Sequence, residues 1–142
     1  TNCLLFIDFP LCILLPLKKL VMQNVFYILE NFRRCEKLKK KKDFDSIFQS
    51  KFSLFRRTSS YNFVYKQNSL GFLRIGIVAK KNIGCAVVRN HEKRLVREFF
   101  RKIKDKESLS YDFVCIIKKS SSPNDKKALD FEDFIKSLQR GI

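Results

Sequence analysis

Arg89, Lys93, Arg97 and Arg101 recur every four residues, with Asn90 and Arg94 beside them. On a helix turning roughly 100° per residue, these six side chains fall within about 140° of arc. Val88, Leu95, Val96, Phe99, Phe100 and Ile103 gather on the other side. The segment therefore reads as a helix with one apolar face and one face that is nearly a row of cations. A solvated surface is the plainer reading of any charge run. Solvated faces usually mix signs, however, because like charges at i,i+4 oppose the helix. Glu92 and Glu98 lie off the cationic arc. A ladder of this kind asks for a polyanion that supplies the missing charge. Arginine favours phosphate, because its planar fork binds two oxygens at once where lysine acts as a point charge. Asn90 adds hydrogen bonds to sugar or base edges.

The composition points the same way. The 142 residues suffice for one domain with a modest core. Thirty Lys and Arg stand against 14 Asp and Glu, a net charge of +16. Lys18 and Lys19 balance Asp8 and Glu30, so the excess lies from Arg33 onward. Such an excess is the footprint of a nucleic-acid binder, and an anionic membrane surface is the other polyanion that fits. Five cysteines without a CxxC pair, and one histidine, give no zinc-ligand spacing. Cys85 and Cys115 have apolar neighbours and read as reduced core thiols, which fits a reducing cytoplasm. There is no phosphate-cradling glycine loop and no Ser/His/Asp grouping. A catalytic centre made of protein is therefore not expected. No residue is assigned as catalytic or as a metal ligand, and His91 reads as a surface or RNA-facing residue.

Around the ladder the chain reads as α-β-β-β-α-β-α. Arg33–Lys42 is a basic arm, as readily a flexible tail as a phosphate contact. Asp43–Gln49 reads as a short helix, with Asp43 placed to cap it or complement its dipole, and Phe44 and Phe48 on one face. Ser53–Arg57, Tyr61–Gln67 and Phe72–Ala79 read as strands separated by polar turns. Tyr61, Phe63 and Tyr65 alternate onto one face, which is a core for Phe63 and either a core or a base-stacking platform for the others. Gly84 relieves the backbone before the basic helix, which starts near Ala86. Tyr111–Lys118 is apolar enough for burial on both faces. A last helix from Asp125 carries the stripe Leu129, Phe131, Phe134, Ile135 and Leu138. The expected fold is an α/β (α+β) two-layer sandwich, a central sheet backed by helices on one side.

The ladder also has a specific likeness. Arg89, Asn90, Lys93, Arg94, Arg97, Glu98 and Arg101 fit the pattern Arg-Asn-x-x-Lys-Arg-x-x-Arg-Glu-x-x-Arg. With the lead-in Lys80-Lys81-Asn82-Ile83-Gly84-Cys85-Ala86-Val87, the segment resembles the signature of the bacterial ribonuclease P protein component. His91 and Cys85 depart from the family's more usual basic or polar residues. The resemblance runs from near Arg33, about three-quarters of the chain. It implies a left-handed β-α-β crossover around the basic helix, against the usual right-handed preference. It implies a catalytic RNA partner, held by Arg89, Asn90, Lys93, Arg94, Arg97 and Arg101. It implies a second partner, precursor tRNA, whose 5′ leader would enter a cleft made by Phe44, Phe48 and Tyr65, with Lys80 and Lys81 on the rim. Magnesium, bound mainly by the RNA, is the implied cofactor, and the implied activity is endonucleolytic 5′ maturation of tRNA in the cytoplasm.

Residues 1–32 do not match the rest. Their apolar run is broken by Asp8, Pro10 and Pro16, too short for a clean span of ~20 residues. The lysines follow that run instead of preceding it, unlike a secretory signal. The only methionine is Met22, and the expectation is a reading frame opened too far upstream, with residues 1–32 outside a functional domain of 33–142. Two other classes compete. A structural RNA-binding protein of ribosomal type would share the charge without a leader cleft. A membrane-associated basic protein would use residues 1–32 as an anchor, whereas the resemblance implies no stable membrane association.

Overall fold

All seven elements expected from the sequence occur, in the order expected. The computed structural model describes residues 32–104, 106–119 and 122–141. Helix α1 is Lys41–Gln49, followed by strands β1 (Leu54–Arg57), β2 (Tyr61–Gln67) and β3 (Arg74–Ala79). A 3-10 turn at Lys81–Ile83 leads into α2 (Ala86–Arg101), then β4 (Tyr111–Ile117) and α3 (Asn124–Gln139). Asp43 lies in the first turn of α1, where it complements the dipole, and Lys40 holds the cap position without a side-chain bond. Apart from Phe32, the segment 1–32 lies outside the described residues. Phe32 belongs to the folded body, its ring edge-on to Phe100 at 5.0 Å between centroids.

The four strands are ordered β1-β2-β4-β3. β2 pairs antiparallel with β1 and β4, and β3 pairs parallel with β4. The parallel pair is joined through α2, since a parallel connection needs a crossover. β4 is central, and its middle residues Asp112–Cys115 are all buried, as its continuous apolar run implied.

Side chains alternate across this sheet, and the two faces have different covers. On one face Tyr61, Phe63, Tyr65, Ile75, Phe113 and Cys115 meet Val96 and Phe100 of α2 and Phe131, Phe134 and Leu138 of α3. Phe63 lies flat on Phe134, with centroids 3.9 Å apart and planes 1° apart, and Phe113 meets Phe134 edge-on at 5.2 Å. On the other face Val64 and Val114 meet Leu38 and Ile47, with Phe44, Val78 and Ile116 packed around them. The helices are therefore not all on one side. The two long helices back one face, and α1 seats on the other.

The basic arm is not a free tail. Leu38 donates its N–H to the Ile75 carbonyl at 2.9 Å, and Ile75 donates to the Glu36 carbonyl at 2.8 Å. Lys37 thereby makes a parallel bridge to Ile75 and covers the β3 edge, satisfying backbone groups a bare edge would leave open. Among the described residues, no helix is long and apolar enough to cross a membrane.

Candidate nucleic-acid interface

The basic ladder is presented by α2, and the backbone before it is set by glycine. Gly84 has φ 155° and ψ −165°, a region open essentially to glycine alone. The inward face of α2 buries Val96 and Phe100 and half-buries Leu95 and Phe99, and Ile103 just past its end is half-buried too. Val87 and Val88 remain exposed, so the first turn stands clear of the core that the sequence assigned to Val88. Cys85, at the N-cap, is exposed too and is not a core thiol. The N–H groups of Val88 and Val87 hold this thiol below its usual pKa. Cys115 is buried as expected, and burial raises its thiol well above the usual range.

Glu92 turns inward. Its carboxylate accepts from Lys127 Nζ of α3 at 2.8 Å, with both side chains largely buried. This ion pair ties α2 to α3 and removes Glu92 from the outer charge balance. Glu98 is exposed and accepts from Arg101 at 2.7 Å. Arg89, Lys93 and Arg97 are half-buried, with Arg89 Nε out of contact with solvent, and Asn90, His91 and Arg94 are exposed. Among the described residues, Arg89, Lys93, Arg94 and Arg97 have no acidic partner. The face is thus a set of uncompensated cations on a rigid helix, suited to phosphates. Lys80 and Lys81 are exposed where β3 runs into α2.

The aromatic site divides. Phe44 and Phe48 project from α1, with Phe44 half-buried over Gly76 and Phe48 45% exposed. Gly76 is what lets the Phe44 ring so close, since a Cβ there would lie 2.7 Å from Phe44 Cε1. Tyr65 does not join them. It points to the opposite face, 7% exposed, edge-on to Phe134 at 5.4 Å and to Tyr111 at 6.2 Å. The reason is the two-residue period of β2: Tyr65 shares a face with Phe63, whereas Val64 faces α1.

What α1 does border is a groove of about 590 Å³, lined by Ser46 of α1, Lys66 and Gln67 of β2, the turn Asn68–Leu70, Arg74 and Asp112. Its floor is braced by Asp112, which accepts from Arg74 Nε at 2.7 Å, from Arg74 Nη2, and from Asn68 Nδ2 at 2.6 Å. The hydrogen bond to Asp112 keeps the Arg74 guanidinium firmly charged. Lys66 and Arg74 were missed in the sequence. The only signal for Lys66 was its i+2 spacing from Val64.

Comparison with known proteins places this geometry. The family described as Ribonuclease P matches residues 32–140. The ribonuclease P protein component of Thermotoga petrophila is 40% identical over 93 residues, 66% of this chain and 78% of that protein. That of Syntrophus aciditrophicus is 39% identical over 90 residues, 63% and 74% of the two chains. The solved ribonuclease P protein of Thermotoga maritima superposes with a TM-score of 0.62 at 27% identity, covering 72% of this chain and 96% of that one. A Staphylococcus aureus ribonuclease P protein mutant shares the fold, with TM-score 0.65, 22% identity and coverage of 75% and 90%. Since the match spans nearly every described residue, the cationic helix and the α1 groove included, this chain belongs to the ribonuclease P protein family.

Proposed function

We infer that this chain is the protein subunit of a ribonuclease P ribonucleoprotein and promotes endonucleolytic 5′ maturation of tRNA. The observation that carries the reading is the α2 face: the family's Arg-Asn-Lys-Arg spacing, displayed on a packed helix with four of its cations lacking an acidic partner. This face would hold the catalytic RNA by its phosphates, releasing counterions as it does so. Phe44 and Phe48 on α1, together with the groove lined by Ser46, Lys66 and Arg74, would take the unpaired 5′ leader of precursor tRNA. Stacking and backbone charge without base-edge readout suit a leader whose sequence varies.

Bond cleavage is assigned to the RNA. No group of three or more His, Cys, Asp or Glu among the described residues could hold a metal ion. Magnesium bound by the RNA would supply Lewis-acid assistance to phosphodiester hydrolysis. The part of this chain is to place its arginines against crowded RNA phosphates and to orient the substrate. The functional domain is proposed to start at Phe32, and the cytoplasm is proposed as the compartment.

The test is reconstitution. The full chain, added to its cognate ribonuclease P RNA at low magnesium, is expected to raise cleavage of precursor tRNA well above that of RNA alone. Arg89→Ala combined with Arg94→Ala is expected to remove most of the gain and to flatten the salt dependence of RNA binding by roughly one log unit per lost phosphate contact. Deleting residues 1–31 is expected to leave the gain intact. RNA binding without any gain in cleavage would replace this reading with that of a structural RNA-binding protein.

A further inference from the structure

The sheet face that carries α1 continues past it to β1. In the β1–β2 register, Phe55 stands opposite Val64 and Arg57 opposite Asn62. Phe55 and Arg57 therefore share the face on which Ile47 packs against Val64. Phe55 is 67% exposed, and Phe52, in the turn between α1 and β1, is 83% exposed. Single exposed apolar residues are ordinary, but Phe48, Phe52 and Phe55 together at one edge mark an interaction surface. The turn that carries them is fixed: Ser53 Oγ donates to the Ile47 carbonyl, and the Phe52 N–H donates to Ser50 Oγ at 3.3 Å.

Charge indicates what covers this edge. No Asp or Glu occurs from Ser46 to His91. Lys51 and Arg57 are exposed near the rings, Arg56 stands opposite Phe63 on the other face, and neither arginine has an acidic partner among the described residues. A second copy pairing along β1 would gather the Arg56 and Arg57 side chains of both copies on one short edge with no carboxylate to offset them. An unpaired RNA strand meets both demands, offering flat base faces to the rings and phosphates to the cations. The edge also follows the α1 aromatics in the chain, through the turn that begins after Gln49.

We propose that Phe55 and Arg57, with Phe52 at the turn, extend the leader cleft across the β1 edge and hold a further stretch of the 5′ leader beyond the part that meets Phe44 and Phe48. This rests on the ribonuclease P reading above. The rings stack on leader bases and Arg57 holds the backbone between them. The β1 ring replaces Tyr65, which the fold has turned into the core.

The experiment compares precursor tRNAs that differ only in leader length, bound to holoenzyme assembled with the full chain. The unaltered protein is expected to bind the long-leader substrate more tightly than the short one. Phe55→Ser is expected to remove about tenfold of that advantage, the scale of one lost stacked base. Arg57→Gln reduces it further, and Phe55→Tyr keeps it. Short-leader binding and melting temperature stay unchanged, since both side chains are exposed. Equal affinity for both leaders, or a length advantage that survives Phe55→Ser and Arg57→Gln, overturns the extension while leaving the function reading in place. So does a concentration-dependent dimer, seen by analytical ultracentrifugation, that Phe55→Ser breaks. Absence of any gain over RNA alone overturns the function reading itself.

Discussion

Phe48 and Tyr65 are both aromatic and were both assigned to one cleft, yet they sit in opposite environments. Phe48 is nearly half exposed, and its loss leaves no cavity. Phe48→Ala is expected to weaken leader-bearing precursor tRNA by about tenfold, one stacked base, with little change in melting temperature. Tyr65 is packed between Phe134 and Tyr111. Tyr65→Ala is expected to cost about 3 kcal/mol of stability without a leader-specific effect. Binding to substrates with and without leader, set beside thermal unfolding of each variant, separates the two. A leader-specific loss on Tyr65→Ala in a fully stable protein would show the face assignment to be wrong. The same distinction applies to the glutamates of α2: Glu92 is an internal tie to Lys127, whereas Glu98 only trims the charge of Arg101, an exposed pair worth less than about 1 kcal/mol.

At the scale of elements, the seat of α1 depends on an absent side chain. A Cβ on Gly76 would lie 2.7 and 2.8 Å from Phe44 Cε1 and Cζ, and 3.4 Å from Leu38 Cδ1. Gly76→Ala is therefore expected to push the Phe44 ring outward and loosen α1 on the sheet, at an overpacking cost of about 1–3 kcal/mol. Leader affinity should fall together with stability, while binding to the catalytic RNA, which would use α2 on the other face, should hold. Denaturant unfolding and two binding isotherms check this, and a variant that loses RNA binding as well would argue against two independent surfaces. The basic arm belongs to the same design. By pairing with β3 it places Leu38 against Phe44, so a stretch that read equally as a flexible tail or a phosphate contact helps seat α1 on the sheet.

At the scale of the molecule, the corner between β1 and β2 is tied to α3 by one carboxylate. Asp130 accepts from Ser59 Oγ at 2.7 Å and from the Ser60 N–H at 3.0 Å. Partial burial pushes its pKa up, but these bonds outweigh that and hold it below the usual aspartate value. A carboxylate depressed in the folded state gives stability that is fully present above its unfolded pKa, near 3.9, and that is lost as pH falls through the lower folded value. Asp130→Asn is expected to lose about 1 kcal/mol at neutral pH, with the difference from the unaltered protein closing below about pH 4. Urea unfolding at the two pH values tests it. A deficit that persists in acid would mean that the loss lies in packing and not in charge. The sequence by itself determined the element order, the boundaries of β2 and the start of α2, the cationic spacing of α2, and the apolar stripe of α3 apart from Leu129, which is exposed and not part of the core. Each of these is written in local periodicity, where a side chain's direction follows from its place in a helix turn or strand pleat. It also determined that Tyr61, Phe63 and Tyr65 share a face. Which cover each sheet face receives is a matter of long-range pairing, and only the tertiary structure decided it. Docking of residues 36–38 on β3, and of α1 opposite the long helices, took Tyr65 from the site. The same packing turned Glu92 inward and left Cys85 and Val88 in the open, and it left Phe55 exposed on the face that carries α1.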